Sequence, residues 1–373
     1  MNLSPRPIHR LAPLYYASGP RYICPGPVSS SRRLVSTFSS PAIPQSPRTA
    51  LLPAVARPRP APFSLAANRL RISSFSRHFH TTPADRTMSP TSQVVPASAG
   101  QRLAGKTILI TGASAGIGQA CALEFALAQP HDLRLILAAR RLETIKKIAA
   151  DITGQVGDGV KILPLQLDVS KPDEVRAFVG ELPDEYKNID ILINNAGGVR
   201  GVETVGNIAE ADINVMFDTN VTGLINVTQA VLPVFLARPD GGAGDIVNIG
   251  SIAGREPYAG GSIYCATKAA VRSFTDSLRR ETMHTKIRVM EVDPGATETL
   301  TSQRQEFSVI RFRGDKAKAD ATYAGMEPLT PQDIAEVIVF NVTRRQNVVI
   351  ADSLIFPTSQ AGVGPANMYR KTA

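Results

Sequence analysis

Tyr264 and Lys268 stand four residues apart, and Ser251 stands thirteen residues before the tyrosine. On a helix, positions i and i+4 share one face. An ammonium held beside a phenol stabilises the phenolate by charge. A free tyrosine titrates near ~10, and lowering that by two to three pH units takes about 3–4 kcal/mol of differential interaction. A phenol so tuned can give a proton to a forming alkoxide or take one from an alcohol. Ser251 closes the apolar run Ile246-Val247-Asn248-Ile249-Gly250, so its hydroxyl can polarise a carbonyl beside the tyrosine. Tyr-x-x-x-Lys by itself occurs by chance in many helices. The serine at the end of the preceding strand narrows that chance reading. An esterase reading of Ser251 is poor, because Gly250-Ser251-Ile252-Ala253-Gly254 lacks a glycine two residues before the serine. Cys265 reads as a packed small residue rather than a nucleophile.

Upstream lies the glycine-rich turn Thr111-Gly112-Ala113-Ser114-Ala115-Gly116-Ile117-Gly118. It follows the apolar run 107–111 and precedes a helical pattern over about 116–129. A strand that turns tightly into a helix presents the helix N-terminus to a pyrophosphate. Gly112 would permit the turn, Gly116 close backbone approach and Gly118 packing of helix on sheet, with Ser114 and Ile117 in the same cradle. A site for NAD usually places an acid about twenty residues on, to bond the ribose 2′-hydroxyl. Here that place holds Ala138, Ala139, Arg140 and Arg141. A guanidinium fork matches a 2′-phosphate, and cations at a helix start otherwise oppose the helix dipole. The expected cofactor is NADP, with Arg140 the first choice for its phosphate and Arg141 the second.

These groups need a frame. Apolar runs near 107–111, 133–139, 160–167, 189–194, 244–250, 286–292 and 347–351 predict seven strands. Helical patterns fill the gaps, with long helices near 210–237 and 262–284. Strands alternating with helices predict a single doubly wound α/β domain of Rossmann type, with a parallel sheet covered on both faces, over residues 101–373. The chain has 373 residues and a net charge of +9, but the charge is uneven. Residues 1–100 hold twelve arginines, no lysine and one acid, Asp85, leaving about −2 on the rest. The basic balance is therefore no argument for nucleic acid. Cys24, Cys121 and Cys265 have neither metal-ligand nor disulfide spacing, and the five histidines are scattered, so no metal site is expected. No apolar run reads as a membrane span.

The joint pattern resembles the short-chain dehydrogenase/reductase family over about residues 103–360. The match is carried by Thr111-Gly112-x-x-x-Gly116-x-Gly118, Asn194-Asn195-Ala196-Gly197, Ser251, Tyr264-x-x-x-Lys268 and Pro294-Gly295. The resemblance implies that Asn220 is a fourth catalytic member holding a water that links Lys268 to solvent. It implies that Asn195, Ala196, Gly197, Pro294 and Gly295 line the cofactor, that Asp168 and Val169 meet the adenine, and that Lys268 also bonds the nicotinamide ribose. The long helices would pair across subunits in a homodimer or homotetramer. A narrower resemblance, to NADP-dependent 3-hydroxy acid dehydrogenases acting on serine, allo-threonine and related acids, rests on Ala138-Ala139-Arg140-Arg141-Leu142-Glu143, Gly250-Ser251-Ile252-Ala253-Gly254-Arg255, Val309–Asp315 and Val349–Thr358.

A small hydroxy acid substrate needs a cation. The segment at about 296–325, past a strand end, is where a substrate cover belongs. Arg311 or Arg313 could clamp a carboxylate there, with Arg255 a competitor and solvated arginines the plain alternative. A reductase of ketoacyl or bulky carbonyl substrates, and a nonenzymatic NADP-sensing module, are the rival readings. Residues 1–100 are expected to form a disordered segment. Their arginine- and serine-rich, acid-poor composition is that of a mitochondrial transit peptide. An extension without an address, or a start at Met88 giving a cytoplasmic form, are the alternatives.

Overall fold

The computed structural model describes residues 97–371 other than 240, 302 and 303. The expectations placed on residues 1–96, an unpacked segment and an organellar address among them, lie outside the described residues. The chain enters through a short helix, α1 (Ala99–Leu103), closed by a reciprocal cap between Ser98 and Gln101. The sequence reading missed this helix, although Ser-x-x-Gln is its signature. Next come β1 (Lys106–Thr111), α2 (Gly116–Ala128), β2 (Leu133–Ala139), α3 (Leu142–Val156), β3 (Val160–Gln166), α4 (Pro172–Glu181), α5 (Asp184–Lys187) and β4 (Ile191–Asn194). Then follow α6 (Glu210–Phe217), a π-helical turn (Asp218–Gly223), α7 (Leu224–Leu236), β5 (Ala243–Ile249), a 3₁₀ turn (Ile252–Gly254), α8 (Ser262–Glu281) and β6 (Lys286–Pro294). The last part holds the two-residue strands β7 (Leu300–Thr301) and β8 (Arg304–Gln305), then α9 (Glu306–Arg311), α10 (Lys316–Ala321), α11 (Pro331–Val342) and β9 (Asp352–Ile355).

Seven strands form one sheet in the order β3-β2-β1-β4-β5-β6-β9, and every pair in it is parallel. Parallel strands need crossover helices, and these cover both faces. The strands are apolar throughout because each face meets helices. Ile108 and Ile110 of β1 face a layer with Phe125 of α2, Ile145 of α3 and Ile338 of α11. Leu109, one residue out of phase, faces Val227, Val231 and Phe235 of α7 and Leu278 of α8. Each such side chain contributes about 1.5–3 kcal/mol on full burial.

The seventh strand falls later than the sequence predicts, at Asp352–Ile355 rather than near 347–351. Val348-Val349-Ile350 has the right composition, but the chain there is pinned in a turn. The Val348 amide donates to Arg345, and Arg288 of β6 donates to the carbonyls of Arg344, Arg345 and Val348. Pairing with β6 begins only where the Glu291 amide meets the Ala351 carbonyl. The long helix expected over 210–237 is present as a continuous run, Glu210–Leu236, that passes through a π-helical turn in its middle. The combined run Glu210–Leu236 is long and apolar enough to cross a membrane by length and composition, which the sequence reading did not register. Its α7 part packs on the sheet through Val227, Val231 and Phe235.

Candidate active site

Strand order reverses between β1 and β4, and a cleft of about 740 Å³ opens along the C-terminal strand ends there. Its floor is the glycine turn after β1. Gly112 has φ 67°, and a Cβ there would lie 2.8 Å from the Ala196 Cα. A Cβ on Gly118 would lie 2.5 Å from the Gly112 carbonyl oxygen, so α2 can start only against a glycine. Gly112, Ser114, Gly116 and Ile117 line the cleft, while Gly118 is buried behind it. No side chain caps the N-terminus of α2, so its first-turn amides are available to a pyrophosphate.

Arg140 and Arg141 line the far end of the cleft. Arg141 donates to the Ser114 hydroxyl at 2.9 Å, whereas Arg140 has no carboxylate partner among the described residues. Asp168 and Val169 also line the cleft, but the Asp168 carboxylate is folded back on Ser170. Asn195, Ala196 and Gly197 follow β4. The Asn195 side chain donates to the carbonyls of Thr111 and Gly112, so it fastens the glycine turn to the neighbouring strand end. Pro294 and Gly295 line the cleft after β6. Thr297 and Thr299 stand with them and were not singled out from the sequence.

The three chemical groups meet at the other end. Ser251 begins the 3₁₀ turn after β5; its hydroxyl accepts from the Ala253 amide at 3.1 Å and stands on the same cleft as Tyr264. Tyr264 and Lys268 are buried on one face of α8. The Tyr264 ring packs edge-on against Phe307, with centroids 5.8 Å apart. Lys268 Nζ lies 5.8 Å from the Tyr264 ring centroid and donates to the Ile249 carbonyl at 2.7 Å. Burial pushes the Tyr264 phenol well above its ordinary value, and the nearby Ser251 hydroxyl and the charge of Arg311 pull it back only in part. This corrects the expectation of a phenol lowered by Lys268. The ammonium is engaged with the Ile249 carbonyl and does not offset the loss of water. Burial also lowers Lys268 to about 8, against the upward pull of Asp293 and Glu291.

Asn220 sits in the π-helical turn, 1% exposed. Its side chain exchanges hydrogen bonds with both backbone groups of Gly198 and donates to Thr267 at 3.1 Å. That side chain is fully engaged in joining the loop after β4 to α8, and it does not line the cleft.

The three substrate arginines separate cleanly. Arg311, at the end of α9, lines the cleft with its guanidinium carbon 5.1 Å over the Tyr258 ring and 5.6 Å over Phe312. Its Nε is buried with no hydrogen-bond partner among the described residues. Arg313 does not reach the cleft. It pairs with Glu203 at 2.9 Å and Asp212 at 2.8 Å, which removes it from the expected role. Arg255 is turned to Asp293 at 2.6 Å and to Asp352, so it is no clamp either. The sequence reading missed Tyr258 and Tyr323, and with them Gln360, Val363 and Met368 of the C-terminal stretch, all at the cleft. Only Tyr258, six residues before Tyr264, carried a positional hint.

The family described as short chain dehydrogenase matches residues 106–308. The chain belongs to this family. It is 52% identical over 272 residues to the NADP-dependent 3-hydroxy acid dehydrogenase of Schizosaccharomyces pombe, covering 73% of this chain and 99% of that protein. It is 38% identical to sulfoacetaldehyde reductase 2 of Chromohalobacter salexigens, over 68% of this chain and 95% of the relative. Among solved structures, the closed form of a serine dehydrogenase complexed with NADP+ aligns with TM-score 0.62 and 38% identity, over 71% of this chain and all of that one. The protein is thus an NADP-dependent short-chain oxidoreductase acting on a hydroxyl-bearing carbon. The uncapped α2 N-terminus and the arginines after β2 fit that cofactor.

Proposed function

We propose that the enzyme interconverts a small 3-hydroxy acid, of the kind of serine or allo-threonine, and its 3-oxo form. The observation that carries this reading is Arg311: a guanidinium at the cleft whose buried Nε has no hydrogen-bond partner among the described residues, close enough to Tyr264 to pull on its phenol. A carboxylate is the natural partner of such a fork. The named substrates of the relatives are small anions or zwitterions, 3-hydroxy acids, serine and a sulfonate aldehyde, which suits a cation in that place.

In the reductive direction, Ser251 Oγ–H donates a hydrogen bond to the carbonyl oxygen. Tyr264 passes its phenolic proton to that oxygen as it becomes an alkoxide. Lys268 holds positive charge behind the phenolate that remains. NADP, when bound, supplies the hydride donor or acceptor, and in its oxidised form adds a cationic ring to the cleft. Arg140 would hold its 2′-phosphate, with Arg141 braced on Ser114. Asn220 serves by setting the loop after β4 against α8.

A steady-state screen with NADP tests the reading, using 3-hydroxy acids against their uncharged amide or alcohol counterparts and ketoacyl thioesters. The acids are expected to be preferred in wild type. Arg311→Ala raises KM for them by roughly 10–100-fold, the range of a charge-assisted bond. Equal turnover of uncharged counterparts overturns the assignment and favours the bulky-carbonyl reading.

Two further expectations belong to the same proposal. The exposed apolar residues Val215, Phe217 and Leu236 on α6 and α7 suit association into a dimer or tetramer, which light scattering at micromolar concentration tests. Import of a full-length fluorescent fusion into mitochondria, against a diffuse fusion starting at Met88, tests the address proposed for the N-terminal segment.

A further inference from the structure

The end of β6 carries two acids on one face of the strand, Glu291 and Asp293, 3% and 1% exposed. They lie against Gly250, the residue that joins the acceptor of Lys268, the Ile249 carbonyl, to Ser251. A Cβ at Gly250 would collide with Asp293 Oδ1 and sit 2.6 Å from Glu291 Oε1, so the carboxyl groups fill the space a side chain would take. Asp293 Oδ1 accepts from the Ser251 amide at 2.8 Å. Its other oxygen accepts from Arg255 Nε at 2.8 Å.

Every charged neighbour can be placed. Arg255, after the 3₁₀ turn, divides itself between Asp293 and Asp352 of β9. Arg272 of α8 stands 4.0 Å from Asp293 and 3.6 Å from Asp352. Lys268, one turn before Arg272 on α8, feels both Asp293 and Glu291. Glu291 has no ion pair among the described residues, meets the same side of Gly250 as Asp293, and keeps Oε1 buried without a partner. Two buried carboxyls in contact cannot both stay ionised unless each has its own cation. Arg255 is committed to Asp293 and Asp352, and Arg272 stays 4.0 Å from Asp293 with its Nη1 lacking a hydrogen-bond partner among the described residues. Their charges favour an ionised Glu291 less than burial and Asp293 oppose it, so the proton belongs on Glu291.

We propose that Glu291 and Asp293 form a proton-sharing carboxyl pair that acts as the counter-charge behind Lys268, making both of them positioning residues for proton transfer at Tyr264. This rests on the reading of Tyr264 and Lys268 as the proton-transfer groups. Asp293 holds the Ser251 backbone and keeps Lys268 charged. Glu291 gives its proton to that contact and, as it ionises, adds a second negative charge where Lys268 would otherwise lose its own. Burial and the charge of Asp293 raise Glu291 to about 8, the region in which burial places Lys268. The two groups thus titrate against one another beside the phenol.

The test is the pH profile of kcat with saturating NADP or NADPH, for wild type, Glu291→Gln and Asp293→Asn. In both variants the alkaline limb should move to lower pH by roughly one unit, the effect of losing a nearby opposite charge. Activity falls more above pH 8 than below it. A limb that stays in place in Glu291→Gln overturns the proposal. Thermal melting gives a second readout that needs no activity. A carboxyl whose folded value is raised loses stabilisation as pH climbs from its ordinary 4.5 to about 8. Glu291→Gln escapes that loss, so its melting temperature relative to wild type should rise across this window and level off beyond it. A constant offset means that Glu291 carries no shifted proton and overturns the pair. Should Asp293→Asn fail to fold, Glu291→Gln still decides both readouts. Tyr264→Phe separates the two levels of the argument: retained turnover defeats the Tyr264 assignment itself, while an inactive Tyr264→Phe with an unmoved limb in Glu291→Gln defeats the pair alone.

Discussion

The two ends of β6 use buried charge in opposite ways. Near its start, Arg288 is 4% exposed and forks onto Asp245 of β5 at 2.7 and 2.5 Å. The remaining guanidinium hydrogens go to the carbonyls of Val342, Arg344, Arg345 and Val348. Donors and acceptors there are matched and face no cleft. Near its end, Glu291 and Asp293 crowd together, with Glu291 Oε1 unpartnered, directly behind Ser251 and Lys268. A saturated network fixes geometry. A network left one partner short can change protonation state, and such groups concentrate at reacting centres.

The largest effect should come from the group that faces the reaction. Tyr264→Phe is expected to lower kcat by roughly 10²–10⁴-fold, the range of general acid catalysis, while leaving NADP binding by titration nearly intact. Lys268→Ala should damage both turnover and cofactor binding. The raised Tyr264 phenol also sets a sign. Reduction needs the protonated phenol, which is present throughout the neutral range. Oxidation needs its loss, so oxidation should climb with pH until the Lys268 ammonium fades above about 8. An oxidation rate flat from pH 6 to 8 contradicts this ordering.

The opposite end of the strand should respond in stability and not in the pH profile of turnover. Asp245→Asn or Arg288→Met leaves a buried charge or a set of carbonyls without a partner, at about 3–5 kcal/mol. Replacing both together should not restore wild-type stability, because four backbone carbonyls still lose their donor. Urea unfolding measures the loss, and the alkaline limb of kcat in the folded fraction should stay where it is. A limb that moves here would erase the contrast between the two ends.

Much of this was readable from the sequence because backbone rules carry it. Alternation of apolar strands with helical patterns predicts the parallel sheet, and Gly112 and Gly118 stand where no side chain fits. Ser251, Tyr264 and Lys268 are set by strand end and helix pitch, which survive without a structure. What was hidden depends on long-range pairing. Arg311 and Arg313 look alike in the chain, and only Glu203 and Asp212, about a hundred residues away, tell them apart. The pinning of Val348 by Arg288 moved the seventh strand, and nothing local announces it. The sign of the Tyr264 shift was lost for the same reason: spacing shows the lysine but not the burial.

A smaller effect is expected at the phosphate end of the cleft. Arg140 lacks a carboxylate partner among the described residues, whereas Arg141 is braced by Ser114. Arg140→Ala should weaken NADP binding by about 10–100-fold, the size of a lost charge-assisted bond, and change NAD binding little. An unchanged ratio of the two affinities would move the role to Arg141.

The smallest effect should fall on Arg313, and it sharpens the comparison of matched with unmatched charge. Its two pairs are real but open to water on the arginine side, with Arg313 52% accessible, Glu203 30% and Asp212 17%. Exposed pairs of this kind are worth about 0–1 kcal/mol. Arg313 also has φ 54°, a left-handed backbone that glycine adopts without strain. Arg313→Gly therefore loses a weak pair and relieves a strained turn, two effects of opposite sign, and the melting temperature should shift little. The cleft should notice less still. KM for the hydroxy acid is expected to change less than about threefold in Arg313→Gly, well short of the change in Arg311→Ala two residues earlier. Parallel KM measurements on the two variants decide the point. If Arg313→Gly raised KM as much as Arg311→Ala, a charge already satisfied by two carboxylates would be shaping the site, and the distinction drawn between saturated and unsaturated groups would not hold.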